Sequence, residues 1–208
     1  MKYIIIVPDG MFDHPVEELG HKTPLEAAHT PNMNYLAQHG VTGMVATIPD
    51  NMPPGSDIGN MAILGYDPND YHTGRAPLEA ANQGIILKDD EIAVRCNLVT
   101  VVHETMEDYS AGHISTKEAD VLIKALNKEL KNGHCKFVTG KSYRHLLIMK
   151  VDDPKAYFKI QTTPPHDILN KKIKSWLPKG KGSEVLLDLI EKSNPIFEKH
   201  PVNQVRID

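Results

Sequence analysis

An α/β fold is what this sequence predicts: the beginning of a doubly wound sheet, joined to an α+β module. Three observations lead there. Lys2-Tyr3-Ile4-Ile5-Ile6-Val7-Pro8 is an apolar run that ends at Asp9-Gly10, the pattern of a parallel strand buried on both faces. Up to about residue 90, helical segments with Pro or Ser at their starts and Gly at their ends alternate with short apolar runs. From Glu91 the pattern changes to alternating strands and a long amphipathic helix.

Taken in order, Thr30-Pro31 reads as an N-cap with Pro at the first helical position, opening a helix through His39 that Gly40 closes. A short strand is expected around Gly43 to Ile48, leading into Pro53-Pro54-Gly55-Ser56. Asp57 to Leu64, with Ser56 just before it as N-cap and Gly65 following at C′, reads as a helix. Gly74-Arg75-Ala76-Pro77 precedes a helix from Leu78 to Gln83 that Gly84 stops. In the second part, Glu91 to Thr100 alternates as a strand. Ser115-Thr116-Lys117-Glu118 has capping-box spacing and opens a helix with Ala119, Leu122, Ile123, Leu126 and Leu130 on one stripe, ended by Gly133. Strands are expected at Lys136 to Thr139 and Arg144 to Lys150. A last helix runs from Ser183 to Ser193, with Val185, Leu186, Leu189 and Ile190 inward. The basic run Lys171-Lys172-Ile173-Lys174 reads as a solvated face.

Composition sets outer bounds. The chain has 208 residues, 40% of them hydrophobic, enough for a substantial core. Its 23 Lys and Arg stand against 27 Asp and Glu, a net charge of -4, so no basic field points to nucleic acid or an anionic membrane. A small anionic substrate therefore requires a local basic pocket. No apolar run approaches the ~20 residues that span a bilayer, and no cleavable leader pattern stands at the N-terminus. Cys96 and Cys135 form no CxxC pair, and two reduced thiols in a cytosolic protein are expected.

Two residues carry the chemical interest. Ser56, on a glycine-flanked turn at a helix start, is readable as an N-cap or as a nucleophile, and the roles are compatible because a helix N-terminus stabilises a phosphoserine dianion. Asp9, before Gly10, is readable as a turn residue or as a metal-binding carboxylate. Its place at the carboxyl end of an expected buried strand favours the second, since ligands gather there in open α/β sheets. Together they suggest metal-assisted phosphoryl or sulfuryl transfer.

Val7-Pro8-Asp9-Gly10-Met11, Thr30-Pro31-Asn32-Met33, Pro54-Gly55-Ser56-Asp57-Ile58-Gly59-Asn60 and Gly74-Arg75-Ala76-Pro77-Leu78-Glu79-Ala80-Ala81 resemble the N-terminal half of the archaeal-type, cofactor-independent phosphoglycerate mutases of the alkaline phosphatase superfamily. Some bacterial relatives carry the label "proposed homoserine kinase". The likeness continues more loosely through Arg95-Cys96-Asn97, Asp108 to His113, Tyr143-Arg144-His145 and Pro164-Pro165-His166-Asp167. It implies an alkaline-phosphatase-like sheet begun by residues 1–90, an inserted α+β substrate-clamp domain over 91–182, and a returning helix and linker over 183–208. It also implies that Asp9 is a metal ligand, and that Ser56 both ligates metal and takes up the phosphoryl group. Two divalent ions (Mn2+, Zn2+ or Mg2+) would assist, and no bisphosphoglycerate primer would be needed.

For the substrate clamp, bidentate anion chemistry nominates Arg75, Arg95 and Arg144, together with His113, His145 and His166 in the segments that share the likeness. Arg144 is also readable as an exposed strand-edge cation, and the histidines as local structure. Asn32, Asn60 and Glu79 are candidates to brace the serine loop. The family's remaining Asp and His ligands come from a C-terminal half that this sequence lacks, so it is expected to be an inactive fragment prone to dimerisation or strand exchange. The function expected of the full-length protein is interconversion of 2- and 3-phosphoglycerate. A phosphatase or phosphotransferase acting on another small ester, or a non-catalytic binding domain, are the alternatives.

Overall fold

The computed structural model describes residues 1–8, 10–130 and 133–198, in two compact units, Met1–His72 and Thr73–Asp208. The class is mixed α/β. In the first unit the elements are α1 (Pro24–Ala27), α2 (Pro31–His39), α3 (Ser56–Ile63) and α4 (Pro68–Tyr71). In the second they are α5 (Arg75–Asn82), β1 (Glu91–Asn97), β2 (Thr100–Val102), β3 (Thr105–Asp108), α6 (Thr116–Glu129), β4 (Cys135–Lys141), β5 (Arg144–Lys150), α7 (Pro154–Tyr157) and α8 (Ser183–Glu198). Among the described residues, no helix is long and apolar enough to cross a membrane.

The first unit departs from expectation at its strands. Lys2 to Pro8 is not a strand, and its apolar side chains stand in solvent, with Ile4 85% and Ile6 79% exposed. Gly43 to Ile48 is not a strand either, and Val41, Met44 and Val45 are exposed. The reason is physical: a strand buried on both faces exists only by hydrogen bonding to neighbouring strands, and among the described residues of this unit no strand is present to pair with.

The helices of this unit are locally specified. Pro31 sits at the first turn of α2, but Thr30 makes no side-chain cap; its hydroxyl donates to Asn34 Oδ1 instead. Gly65, at φ 88°, closes α3 with its amide on the Ala62 carbonyl, while the Tyr66 amide reaches Met61. Asp67 caps α4, its Oδ1 accepting from the Asn69 amide at 2.9 Å.

The second unit is built on an antiparallel sheet in the order β1-β5-β4. Register pairs Cys96 with His145 and Asn97 with Arg144, and strand alternation then sorts side chains to the two faces. Ile92, Leu147, Met149 and Phe137 point to one face, where Ile123 and Leu126 of α6 and Leu186 and Leu189 of α8 cover them. Leu146 and Ile148 point to the other, against Ala76 and Ala80 of α5. Each fully buried Leu or Ile contributes about 1.5–3 kcal/mol on this accounting. The Ser115 capping box forms as expected: the Glu118 amide donates to Ser115 Oγ, and Glu118 accepts from the Ser115 amide.

Three further expectations change in detail. Helix α5 starts at Arg75 rather than Leu78, because a proline in the first turn gives up no intrahelical bond, so Pro77 is compatible with a start before it. Helix α8 continues past Ser193 to Glu198 with Pro195 inside it, as Ile196 and Phe197 gain packing against the core. Val185 and Ile190 of that helix are exposed. In the basic run, Lys172 Nζ donates to the His103 carbonyl and Lys171 Nζ lies 5.1 Å from the Trp176 ring centroid, so these cations bind the chain rather than only solvent.

Candidate functional site

Ser56 opens α3 as its first helical residue, and Gly55 occupies the N-cap position with no side-chain cap. The cap reading of Ser56 is therefore corrected: its hydroxyl is not engaged in closing the helix start. Pro53 and Pro54 restrict the approach, and Gly55 in extended backbone turns the chain into the helix. Ser56 is exposed and lines a cleft of about 340 Å³ with Val7, Thr47, Ile48, Gly55, Gly59, Asn60 and Ile63. Asn60 lies one turn after Ser56 and lines the same cleft.

Ile58, buried, pins the first turn of α3 from below, and Asp57 meets His72 Nε2 through Oδ2 at 2.8 Å. Sequence reading missed this pair, since fifteen residues separate the two and no periodicity links them. Asp9 lies outside the described residues, and so does its expected part in a metal site. Among the described residues, no group of three or more His, Cys, Asp or Glu could hold a metal ion.

The candidates in the second unit do not form one constellation. On the α5 face of the sheet, Arg95 Nε lies 3.2 Å from Glu79 Oε1, so Glu79 pairs with this arginine. Asn97 and Arg144 face each other across β1 and β5. Arg144 donates to the Tyr143 hydroxyl at 3.0 Å and lies 5.1 Å from the Tyr143 ring centroid. Tyr143 packs edge-on against Tyr109, and Tyr109 against His166, with centroids 5.9 and 6.2 Å apart. Arg144 and His166 thus share one aromatic cluster. The two tyrosines were not singled out from sequence, although Tyr143 stands beside Arg144. Arg75, the first residue of α5, is exposed.

His145 is buried in the core, whereas His113 is exposed, with its backbone tied into a turn. Asp108 accepts from the Ser110 amide and hydroxyl at 2.7 and 2.6 Å and from the Gly112 amide at 2.7 Å. Burial works to raise the Asp108 carboxyl, but these hydrogen bonds from Ser110 and Gly112 outweigh it and hold the group below its ordinary range. The turn so fixed holds His113 at φ 54° with its amide on Ser110 Oγ. His145 is 1% exposed on the α6 face, where Nδ1 accepts from the Gly140 amide at 3.1 Å and Nε2 has no partner. Burial pushes its pKa down to about 4, against the Ser142 backbone and Asp120, which favour the charged form. Opposite it, burial raises the Cys96 thiol to about 11, an unreactive group at neutral pH.

Residues 37–203 match the model of the 2,3-bisphosphoglycerate-independent phosphoglycerate mutase family. The chain belongs to this family. It is 54% identical over 208 residues to the 2,3-bisphosphoglycerate-independent phosphoglycerate mutase of Methanosarcina barkeri, covering 100% of this chain and 52% of that protein. A probable mutase of the same name from Geobacter sulfurreducens is 42% identical, again over 100% of this chain and 52% of its own length. Among solved structures, the cofactor-independent phosphoglycerate mutase of Thermoplasma acidophilum superposes with a TM-score of 0.53 at 28% identity, covering 95% of this chain and 53% of that one. A Pyrococcus horikoshii protein reaches 0.70 at 27% identity, over 95% and 45%. The chain spans about half the length of the curated relatives it matches. These likenesses support the alkaline-phosphatase-like α/β class expected from the sequence.

Proposed function

We propose that the full-length protein interconverts 2- and 3-phosphoglycerate through a phosphoserine at Ser56. The observation that carries this is the position of Ser56: first residue of α3, free of any capping duty and open to a cleft, in a chain whose relatives are named as phosphoglycerate mutases. In the forward half-reaction Ser56 Oγ attacks the phosphorus, the bond to the glycerate oxygen breaks, and the serine proton balances the departing hydroxyl. After reorientation the other glycerate hydroxyl attacks the phosphorus, the bond to Oγ breaks, and the proton of that hydroxyl restores the serine. The first-turn amides and the axial dipole of α3 favour the dianion held on Oγ between the two steps.

Two divalent ions remain part of the proposal as cofactors, with Asp9 and Ser56 as ligands. The described residues alone do not make a site for them. Such ions lower the pKa of a bound hydroxyl and neutralise transferring oxygens when present. Arg75, Arg95, Arg144 and His166 are proposed to meet the phosphate and carboxylate of the substrate, with the tyrosine cluster fixing Arg144 and His166. His145, in the core, supports the strand that carries Arg144. His113, exposed on the turn that Asp108 and Ser110 hold, is proposed to meet the substrate with those arginines. The small phosphorylated acid is the partner proposed; the division into a metal-binding part, an inserted clamp domain and a returning helix is proposed with it.

The test is isomerisation by the full-length protein with Mn2+, compared with Ser56→Ala. The expected outcome is loss of at least about a thousandfold in kcat with the far-UV spectrum unchanged. Unimpaired turnover by Ser56→Ala would remove the phosphoserine, and release of inorganic phosphate in place of isomerisation would make the protein a phosphatase.

A further inference from the structure

The loop that delivers Ser56 is held at both ends by one short helix. Before the serine, Asn51 Nδ2 donates to Asn69 Oδ1 of α4 at 3.1 Å, and the Met52 amide closes a turn on the Pro49 carbonyl at 2.9 Å. After the serine, Asp57 Oδ2 accepts from His72 Nε2 at 2.8 Å, and His72 is the residue that ends α4, with its amide on the Pro68 carbonyl at 3.0 Å. Helix α4 is itself fixed by the Asp67 cap and by buried Pro68. Between the two ties lie Pro53-Pro54-Gly55-Ser56, so the serine sits on a span clamped on either side.

The second tie is the stronger one. The Asp57 and His72 side chains are only 14% and 17% exposed, while Asn51 and Asn69 are in solvent. A largely buried carboxylate demands a donor, and a carboxylate oxygen accepts, so the imidazole is held as its Nε2–H tautomer at least. Hydrogen bonds to ionised groups are shorter and stronger than neutral ones, and this one acts within the first turn of α3. Ser56 is the preceding residue; anchoring Asp57 therefore fixes the backbone that aims the Ser56 Cα–Cβ bond into the cleft.

We infer that His72 is a positioning residue for Ser56, acting through Asp57 at the start of α3. This rests on the phosphoserine reading above for its effect on rate, and on the hydrogen-bond geometry alone for its effect on the loop.

The test compares His72→Leu, His72→Gln and Ser56→Ala in the full-length protein. Gln reaches the position of Nε2 with an amide donor, whereas Leu keeps the bulk and removes the bond. His72→Leu is expected to lower kcat roughly ten- to a hundredfold, the scale of a misplaced reacting group, with KM moved less than about twofold. His72→Gln is expected to recover most of that loss. Parental kcat in His72→Leu, beside an inactive Ser56→Ala, overturns the inference. So does a loss in His72→Leu that His72→Gln fails to recover and that tracks a lowered melting temperature.

A second readout needs no chemistry. In the 208-residue chain, the backbone amide shifts of Gly55, Ser56 and Asp57 should move in His72→Leu and return in His72→Gln. Unmoved amides refute the positioning role. Parental activity in Ser56→Ala with moved and restored amides refutes the phosphoserine alone.

Discussion

His145 makes the stability of the second unit depend on acid, and the dependence has a calculable size. The imidazole is 1% exposed, its Nε2 has no partner, and burial lowers its pKa to about 4. In the unfolded chain it titrates near its ordinary 6.5. The native state therefore stays neutral through a range in which the unfolded state binds a proton. A depressed histidine pKa contributes stability above 6.5 that is lost as pH falls from 6.5 to about 4, and below that the slope from this group ends. The difference is worth at most about 3 kcal/mol at 1.36 kcal/mol per unit. Asp120 on α6 and Cys96 on β1 face the ring. Asp120 is held ionised by its hydrogen bonds from Lys124 and Thr139, and Cys96 stays a thiol throughout. The measurement is urea unfolding at pH 7, 5.5 and 4, followed by the single tryptophan, Trp176, which lies in the same unit. His145→Gln should be less stable at pH 7 but flatter across the window, so that the two proteins converge toward pH 4. Parallel pH profiles for the parent and His145→Gln would show that this imidazole is not held neutral, and would refute the reasoning.

Three other perturbations test the architecture. Asn127 of α6 donates to the Phe137 carbonyl and accepts from the Phe137 amide, both at 2.8 Å, doing for the outer edge of β4 what a neighbouring strand would do. Asn127→Leu should cost about 2–3 kcal/mol in urea unfolding, because it leaves both backbone groups unpaired. A Cβ on Gly140 would lie 2.2 Å from the Arg144 carbonyl oxygen, so Gly140→Ala should cost about 3 kcal/mol or more and lower the yield of folded protein. Ser115→Ala removes the cap of α6 and should cost about 1 kcal/mol, seen as a lower melting temperature with an unchanged fold.

What was readable in the sequence follows the range of the interactions involved. The α6 capping box, the Gly40 and Gly65 stops, the Leu122–Ile123–Leu126 stripe and strands β4 and β5 all formed as expected, because each is decided within a few residues or by a partner close in sequence. Strand Lys2–Pro8 failed because its apolar pattern specifies burial without naming the strand that buries it. The pattern is informative about the family, whose members are twice as long as the matched region, and uninformative about what pairs with these residues. The start of α5 slipped by three residues for a smaller reason: a proline marks the first turn, not its first residue.

The site divides along the same line. Ser56 was legible as a candidate because the tight turn that carries it is built from Gly and Pro, and those leave a local signature. His145 was misplaced because adjacent strand residues point to opposite faces, so the likeness that nominated Arg144 carried its neighbour along into the hydrophobic side of the sheet. Asp57 and His72 were invisible because their pairing is fixed by how α3 turns back at Gly65 into α4, and a hydrogen bond across fifteen residues has no periodic trace. On the phosphoserine proposal, motif reading finds the atom proposed to react and misses what is proposed to aim it. On that proposal the aiming falls to α4, which is tied to the chain before Ser56 through Asn69 and after it through His72. If His72→Leu slows the full-length protein while Ser115→Ala, which loosens a helix cap, does not, the difference will lie in that hold rather than in stability.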